Sequence, residues 1–244
     1  MLAIARVSGL FLFLPMFAGQ SVPIPARVAL ASGISLLAMS GIDVAPPMPD
    51  SVFVLGIYLL KEVIVGLLMG FAVKMVFYLV EFAAYIITVE IGLMPSPEFD
   101  PMQSRGGNPL GSLVYFLALV IFLNGTEYHV FYAFLKSYEI SPIGMEEVNL
   151  LAVEEVITAT AGIFKIGILI AAPLVAVNFL INLIFAVIGK VTPKLNVFIL
   201  SFPVRILAGT SVFAFTSVLI AYYIINYLGE TPEMMMRFIF FRAA

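Results

Sequence analysis

The sequence predicts an all-α protein of the membrane, a polytopic membrane-complex chain of about six apolar helical segments, some long, kinked or hairpin-like. Three observations predict it. Apolar residues fill 62% of the 244 positions and charged ones only 11%, and the mean hydropathy is +1.13, whereas soluble domains are about half apolar and a quarter charged. A folded sphere of this size cannot hide so much apolar surface from water. Next, the apolar residues fall in runs of spanning length, separated by turns rich in proline, glycine and charge. Last, the usual chemistry is missing. With no cysteine and one histidine, His129, thiolate chemistry, disulfides, Cys-ligated zinc, iron–sulfur clusters and multi-His metal sites are excluded. No cofactor or metal is therefore expected, and no enzyme. With 12 Lys+Arg against 15 Asp+Glu, the chain has no basic footprint for nucleic acid.

The elements follow in order. Met1 to Phe17 reads as a retained first helix: no small-x-small cleavage site precedes Gln20, and Pro15 falls where a cleavable apolar core would be unbroken. A break from Gly19 to Pro25 leads to a second apolar stretch, Ala26 to Ile42; both stretches are near the lower limit of about 17 residues for a span. Asp43 to Asp50 is a proline-rich turn that ends one helix and starts another. From Ser51 to Met94 no proline intervenes, so a single helix there would be about 65 Å long, twice the ~30 Å hydrocarbon thickness. That run also carries Lys61, Glu62, Lys74, Glu81 and Glu90. It is either a hairpin or a helix that extends beyond the bilayer and packs on other protein.

Met94 to Gly111 is a loop by composition, and long unstructured loops are often functional. Leu110 to Leu135 is a further span-length run, crossed near its middle by Asn124-Gly125-Thr126-Glu127. An acidic stretch, Lys136 to Val156, precedes a long helix over Ala159 to Ile188, expected to kink at Pro173. Gly189 to Asn196 is a basic turn before the last apolar run, Asn196 to Leu228, and the tail ends in Arg237 and Arg242. With strict alternation, the basic turns at Arg27 and Lys190/Lys194 lie in the cytoplasm and the N-terminus outside. The whole of residues 1–244 is expected to form a single helical domain, with residues 94–111 a loop within it.

Ionisable groups at membrane depth are the first functional candidates, because each is costly unless paired, hydrated or snorkelled. Lys74 and Glu81 lie within about 20° of one helix face, with Tyr78 between them and Tyr85 beyond. A relay would use such a seam, but relays draw on His or Asp and no span here contains Asp, so inter-subunit or inter-helix contact is favoured. Lys61 and Glu62, as neighbours, point about 100° apart. Gly66 and Gly70 form a G-x-x-x-G ridge, the spacing that lets a second helix approach closely. Asn178 and Asn182, one turn apart, suit interhelical hydrogen bonds. His129, alone in an apolar context, is expected to be a hydrogen-bonded core residue. In the loop, Met94, Phe99 and Met102 give a deformable apolar surface, and Gln103, Ser104, Arg105, Gly106, Gly107, Asn108 and Pro109 give irregular backbone, which at membrane depth must be buried in protein or line a cavity.

A further set of motifs runs in order along the chain: Ala5-Arg6, Pro15, Val22-Pro23 and Arg27; Lys61-Glu62 with Gly66 and Gly70; Glu81 and Ile91-Gly92; Asn108-Pro109-Leu110-Gly111 and Asn124-Gly125. Most specific are Pro193-Lys194-Leu195-Asn196-Val197-Phe198 and Phe202-Pro203-Val204-Arg205-Ile206-Leu207-Ala208-Gly209. In their order and spacing these motifs resemble the FliR/SctT family, the R/T-type subunit of the export gate of flagellar and virulence type III secretion systems. The resemblance implies a non-enzymatic, pore-forming subunit in the bacterial inner membrane, within the basal body. It implies assembly with P-type and Q-type subunits, a U/B-type switch protein and proximal rod components, and passage of unfolded protein substrates. It also implies that the loop at Met94–Pro109 works as a plug and that Arg205 belongs to the interhelical contacts. Asn124-Gly125 and Phe202–Gly209 lean to the flagellar branch; Ser137-Tyr138 with Pro142 resembles the virulence branch. A different class, a secondary transporter coupling through Lys74 and Glu81, stands as the alternative.

Overall fold

The computed structural model describes residues 1–17, 22–40, 51–93, 108–143 and 151–239, with side chains in the last stretch from residue 153. Among them every regular element is helical: α1 (Leu2–Phe13), α2 (Ile24–Ser40), α3 (Val52–Ile91), α4 (Pro109–Ile121), α5 (Glu127–Ile140), α6 (Leu151–Val191) and α7 (Val197–Ile239). Four of the resulting runs are long and apolar enough to cross a membrane: α3, α4 with α5 taken together as Pro109–Ile140, α6 from Val153, and α7. The turns at Asp43–Asp50 and Gly19–Ser21, the acidic pair Glu146 and Glu147, and Arg242 lie outside the described residues, as do Met94, Phe99, Met102, Gln103, Ser104, Arg105, Gly106 and Gly107 of the loop.

Two of the sequence expectations resolve at the level of elements. Within the run that begins at Ser51, Val52–Ile91 is one continuous helix of 40 residues, α3, and not a hairpin. Nothing in it forces a turn: it has no proline, and its interior glycines remain helical. The run from Leu110 is broken where Asn124-Gly125 interrupts it. Gly125 has φ +115°, outside the range of L residues in a helix, so α4 and α5 meet through an irregular turn over Phe122–Thr126.

The chain divides into two compact units. One takes its described residues from Met1–Phe77, Phe122–Ala161 and Tyr227–Ala244. Its core gathers Val7 and Leu10 of α1, Met69, Val73 and Phe77 of α3, Val130 and Phe134 of α5, and Leu228 and Met235 of α7, all buried. The α2 helix contributes little: its buried residues Ala31, Ser35 and Ala38 form a narrow stripe of small side chains at helical spacing, and it packs on α1. The second unit takes Tyr78–Ile121 and Gly162–Asn226. Its core is formed by Leu79, Ala83 and Ile87 of α3 with Val114 of α4, Ile170 of α6 and Ile220 and Ile224 of α7.

Candidate functional site

In the first unit, α1 and α3 touch backbone to backbone. A Cβ on Gly66 would lie 2.0 Å from the Arg6 carbonyl oxygen, one on Gly70 2.7 Å from that of Leu10, and one on Gly9 2.5 Å from that of Val63. Only hydrogen fits at any of these three positions. The glycine ridge of α3 thus receives α1, and α1 supplies a glycine of its own.

That close approach delivers Arg6 into the interior. Its side chain and that of Glu62 are both 0% exposed, with Arg6 Nε donating to Glu62 Oε2 at 2.7 Å. Arg6 Nη1 donates to Ser137 Oγ at 3.1 Å and Nη2 to the Ser141 carbonyl at 3.1 Å. The guanidinium carbon stands 4.3 Å from the centre of the Tyr138 ring, within cation–π range, and the Tyr138 hydroxyl donates to the Ala3 carbonyl at 3.2 Å. Burying both ions costs several kcal/mol each; the fork of donors on a rigid guanidinium offsets this by reaching three acceptors at once. Lys61, beside Glu62, is half-buried, and Lys74 is half-buried with Nζ 6.0 Å from the Phe77 ring centre.

At the α4–α5 break the freed backbone groups find side chains. The Gly125 amide donates to Glu127 Oε2 at 2.8 Å, and His129 Nδ1 lies 3.0 Å from the Gly125 carbonyl. A carbonyl only accepts, so Nδ1 carries the proton in that contact. His129 is therefore exposed and serves the break; the expected core position is corrected. Its apolar neighbours in sequence, such as Val130 and Phe134, occupy another face of α5.

The second unit holds the described residues on either side of positions 94–107. On the upstream side, α3 ends in a Schellman turn: Gly92 at φ +83° places its amide on the Val89 carbonyl and that of Leu93 on the Thr88 carbonyl, each at 3.0 Å. On the downstream side, Asn108 caps α4, its Oδ1 accepting from the Gly111 amide at 2.8 Å, with Pro109 at the first helical position where a missing N–H is harmless. The Thr88 hydroxyl bonds the same Asn108 Oδ1. The start of α4 is thus tied to the last turn of α3. Nearby, Glu90 accepts from Asn178 Nδ2, and Asn182 accepts from Arg205 Nη2, so α3, α6 and α7 are linked by polar side chains.

An open groove of about 520 Å³ runs along this unit between α3 and the start of α4, lined by Glu81, Tyr85, Asn108, Ser112, Tyr115 and Phe116. Tyr78, Glu81 and Tyr85 are exposed on one face of α3. Thr88 is a site residue to which the sequence does not point, and Arg6 and Glu90 stand out there only as a motif residue and a charge in an apolar run, not for these contacts. For Arg6 and Glu90 a signal existed, since each is an ionisable group in an apolar run; Ser137-Tyr138 stands out only as a motif, and for Thr88 there was no signal, because the contacts of all three arise from long-range packing. Among the described residues no three His, Asp or Glu side chains converge on a metal-sized point.

Long apolar helices tied together by buried charges and close glycine contacts define a polytopic helical membrane protein. The comparison with known proteins narrows the class: residues 1–231 match the family described as bacterial export proteins, family 1, and the chain belongs to that family. It is similar to the flagellar biosynthetic protein FliR of Escherichia coli (28% identity, 88% of this chain and 83% of the relative) and of Bacillus subtilis (26%, 84% and 81%). It is also similar to the Yop proteins translocation protein T of Yersinia pestis (25%, 96% and 89%).

Proposed function

We propose that this chain is a non-enzymatic, pore- and gate-forming subunit of the bacterial flagellar protein export apparatus, needed to build the gate and pass unfolded substrates. It works in the inner membrane within the basal body, packed against P-type and Q-type gate subunits, a U/B-type switch protein and proximal rod components. The observation that carries this reading is the match of residues 1–231 to the export family, joined by flagellar relatives covered over more than four fifths of their length. The apolar surface that α6 and α7 leave uncovered supports assembly with other membrane subunits. Deleting the gene is expected to abolish export of rod, hook and filament proteins and with it motility; normal export without the chain overturns the reading. The match to a virulence translocation protein over 96% of this chain favours one second reading, the same role in an injectisome. Loss of effector secretion with motility intact would select it.

The plug proposed from the sequence is Met94–Pro109 within the loop read over 94–111; the structure corrects its downstream end, where Asn108 is the cap and Pro109 to Gly111 the first turn of α4. What supports this is its place in the chain, between the Schellman end of α3 and the Asn108 cap of α4. Deleting Gln103–Gly107 while keeping Asn108 and Pro109 is expected to leave assembly intact and make the pore leak ions. A conductance equal to that of the parent complex counts against a gating role.

A further inference from the structure

In the second unit, two polar atoms beside the Glu90–Asn178 contact have no partner. The carboxylate of Glu90 can only accept, so the amide of Asn178 must turn its Nδ2 towards it. That fixes Asn178 Oδ1, an acceptor, on the other side. Arg205 commits Nη2 to Asn182, which leaves its Nε–H, a donor. Both Asn178 Oδ1 and Arg205 Nε are shut off from solvent and lack a hydrogen-bond partner among the described residues. In an apolar span an orphaned donor or acceptor carries its full desolvation penalty. The two orphans are complementary, yet they do not bond to each other.

Beside them is a cavity of about 10 Å³, lined by Glu90, Asn178 and Arg205 together with Ile91, Leu174 and Gly209. That is the smallest space that accepts one water, about 10–15 Å³, and it accepts nothing larger. The lining also sorts ligands by charge. The guanidinium repels a cation and offers it an N–H where it needs a lone pair; the Glu90 carboxylate repels an anion. A neutral molecule that donates and accepts fits both.

We propose that one structural water is bound in this cavity, donating a proton to Asn178 Oδ1 and accepting the Nε–H of Arg205. Glu90 on α3 and Arg205 on α7 are thereby joined through Asn178 of α6 and the water into a single charge-balanced chain across three helices. The arrangement explains why a carboxylate and a guanidinium sit on the walls of so small a space without a direct ion pair.

A density map of the full chain in the membrane assembly from which it is purified, at a resolution that shows ordered water, tests this. One peak within about 3 Å of both Asn178 Oδ1 and Arg205 Nε is expected. An empty cavity, or Arg205 turned directly onto Glu90, overturns the proposal. In the same assembly, Asn178→Leu and Arg205→Met are each expected to increase the fraction dissociated at a fixed heat step. The double variant should fall short of the product of the two by about 3-fold or more, since residues in one network couple. Effects that simply multiply overturn the proposal, and where a variant does not assemble the parent map decides.

Discussion

Two arginine–glutamate pairs in this chain have the same 2.7 Å separation and opposite worth. Arg6 and Glu62 are both 0% exposed, while Arg237 and Glu233, one turn apart on α7, are 59% and 68% exposed. Water screens the second pair, which is worth well under about 1 kcal/mol, and Glu233→Gln is expected to leave the protein's level in membranes unchanged. For the buried pair, removing one partner strands a charge with no solvent, a loss of about 3–5 kcal/mol against a total stability of the order of 5–15 kcal/mol. Arg6→Ala or Glu62→Ala is therefore expected to leave little protease-resistant chain in membranes. Replacing both, as Arg6→Met with Glu62→Leu, should recover part of it, because an apolar pair of similar volume avoids the desolvation cost. A double variant as poor as the worse single one would show that the hydrogen bonds to Ser137 and Ser141 matter more than charge balance.

At the scale of elements, the seam between α1 and α3 sets the tolerance of each glycine. Gly66→Ala would put a methyl 2.0 Å from the Arg6 carbonyl oxygen, backbone that cannot rotate away, so α1 must lift and the Arg6 network with it. Gly56, on the same helix, has nothing within 4 Å of a new Cβ; Gly56→Ala is expected to be neutral or to stabilise by up to about 1 kcal/mol through helix propensity. Comparing the thermal dissociation of the two variants checks the seam, and equal tolerance would refute it. The same contrast shows what was legible in the sequence. The Gly66/Gly70 ridge could be seen from spacing alone, because it is a local pattern, whereas Leu110–Leu135 read as one span-length run crossed by Asn124-Gly125 and only the structure shows the helix breaking there. That α1 is the helix filling the ridge, that Arg6 is the mate of Glu62 across 56 positions, and that Thr88 bonds Asn108 are contacts between distant segments, which no periodicity encodes. His129 was misplaced for a related reason: an apolar neighbourhood in sequence does not say which face of the helix a side chain takes.

For the whole molecule the decisive quantity is how much apolar helix the chain leaves uncovered. The most apolar stretch of α3 is 61% buried within the chain, that of α6 22% and that of α7 only 6%; Phe198, Leu207, Phe215 and Val218 of α7 are each 70% exposed or more. At about 25 cal/mol per Å² of apolar surface, such helices must be covered, and lipid and protein are the two possible covers. Polar groups on the same surfaces distinguish them, since a carboxylate facing hydrocarbon is costly while one facing a neighbouring subunit can be hydrogen-bonded. Glu81 is the informative residue: it is exposed on α3 and lines the 520 Å³ groove with Tyr85 and Tyr115. If lipid covers that face, Glu81→Leu costs only the interactions Glu81 makes within the chain, that with Tyr115 among them, and the intact assembly should be recovered about as well as from the parent. If protein covers it, the substitution strands the partner's polar groups, and recovery of the intact assembly should fall several-fold while the chain itself still inserts. We expect the second outcome, read by gentle extraction and native mass spectrometry of parent and variant. A parent chain that emerges as a lone species with its Glu81→Leu variant unimpaired would mean that lipid, and not other export subunits, sheathes these helices.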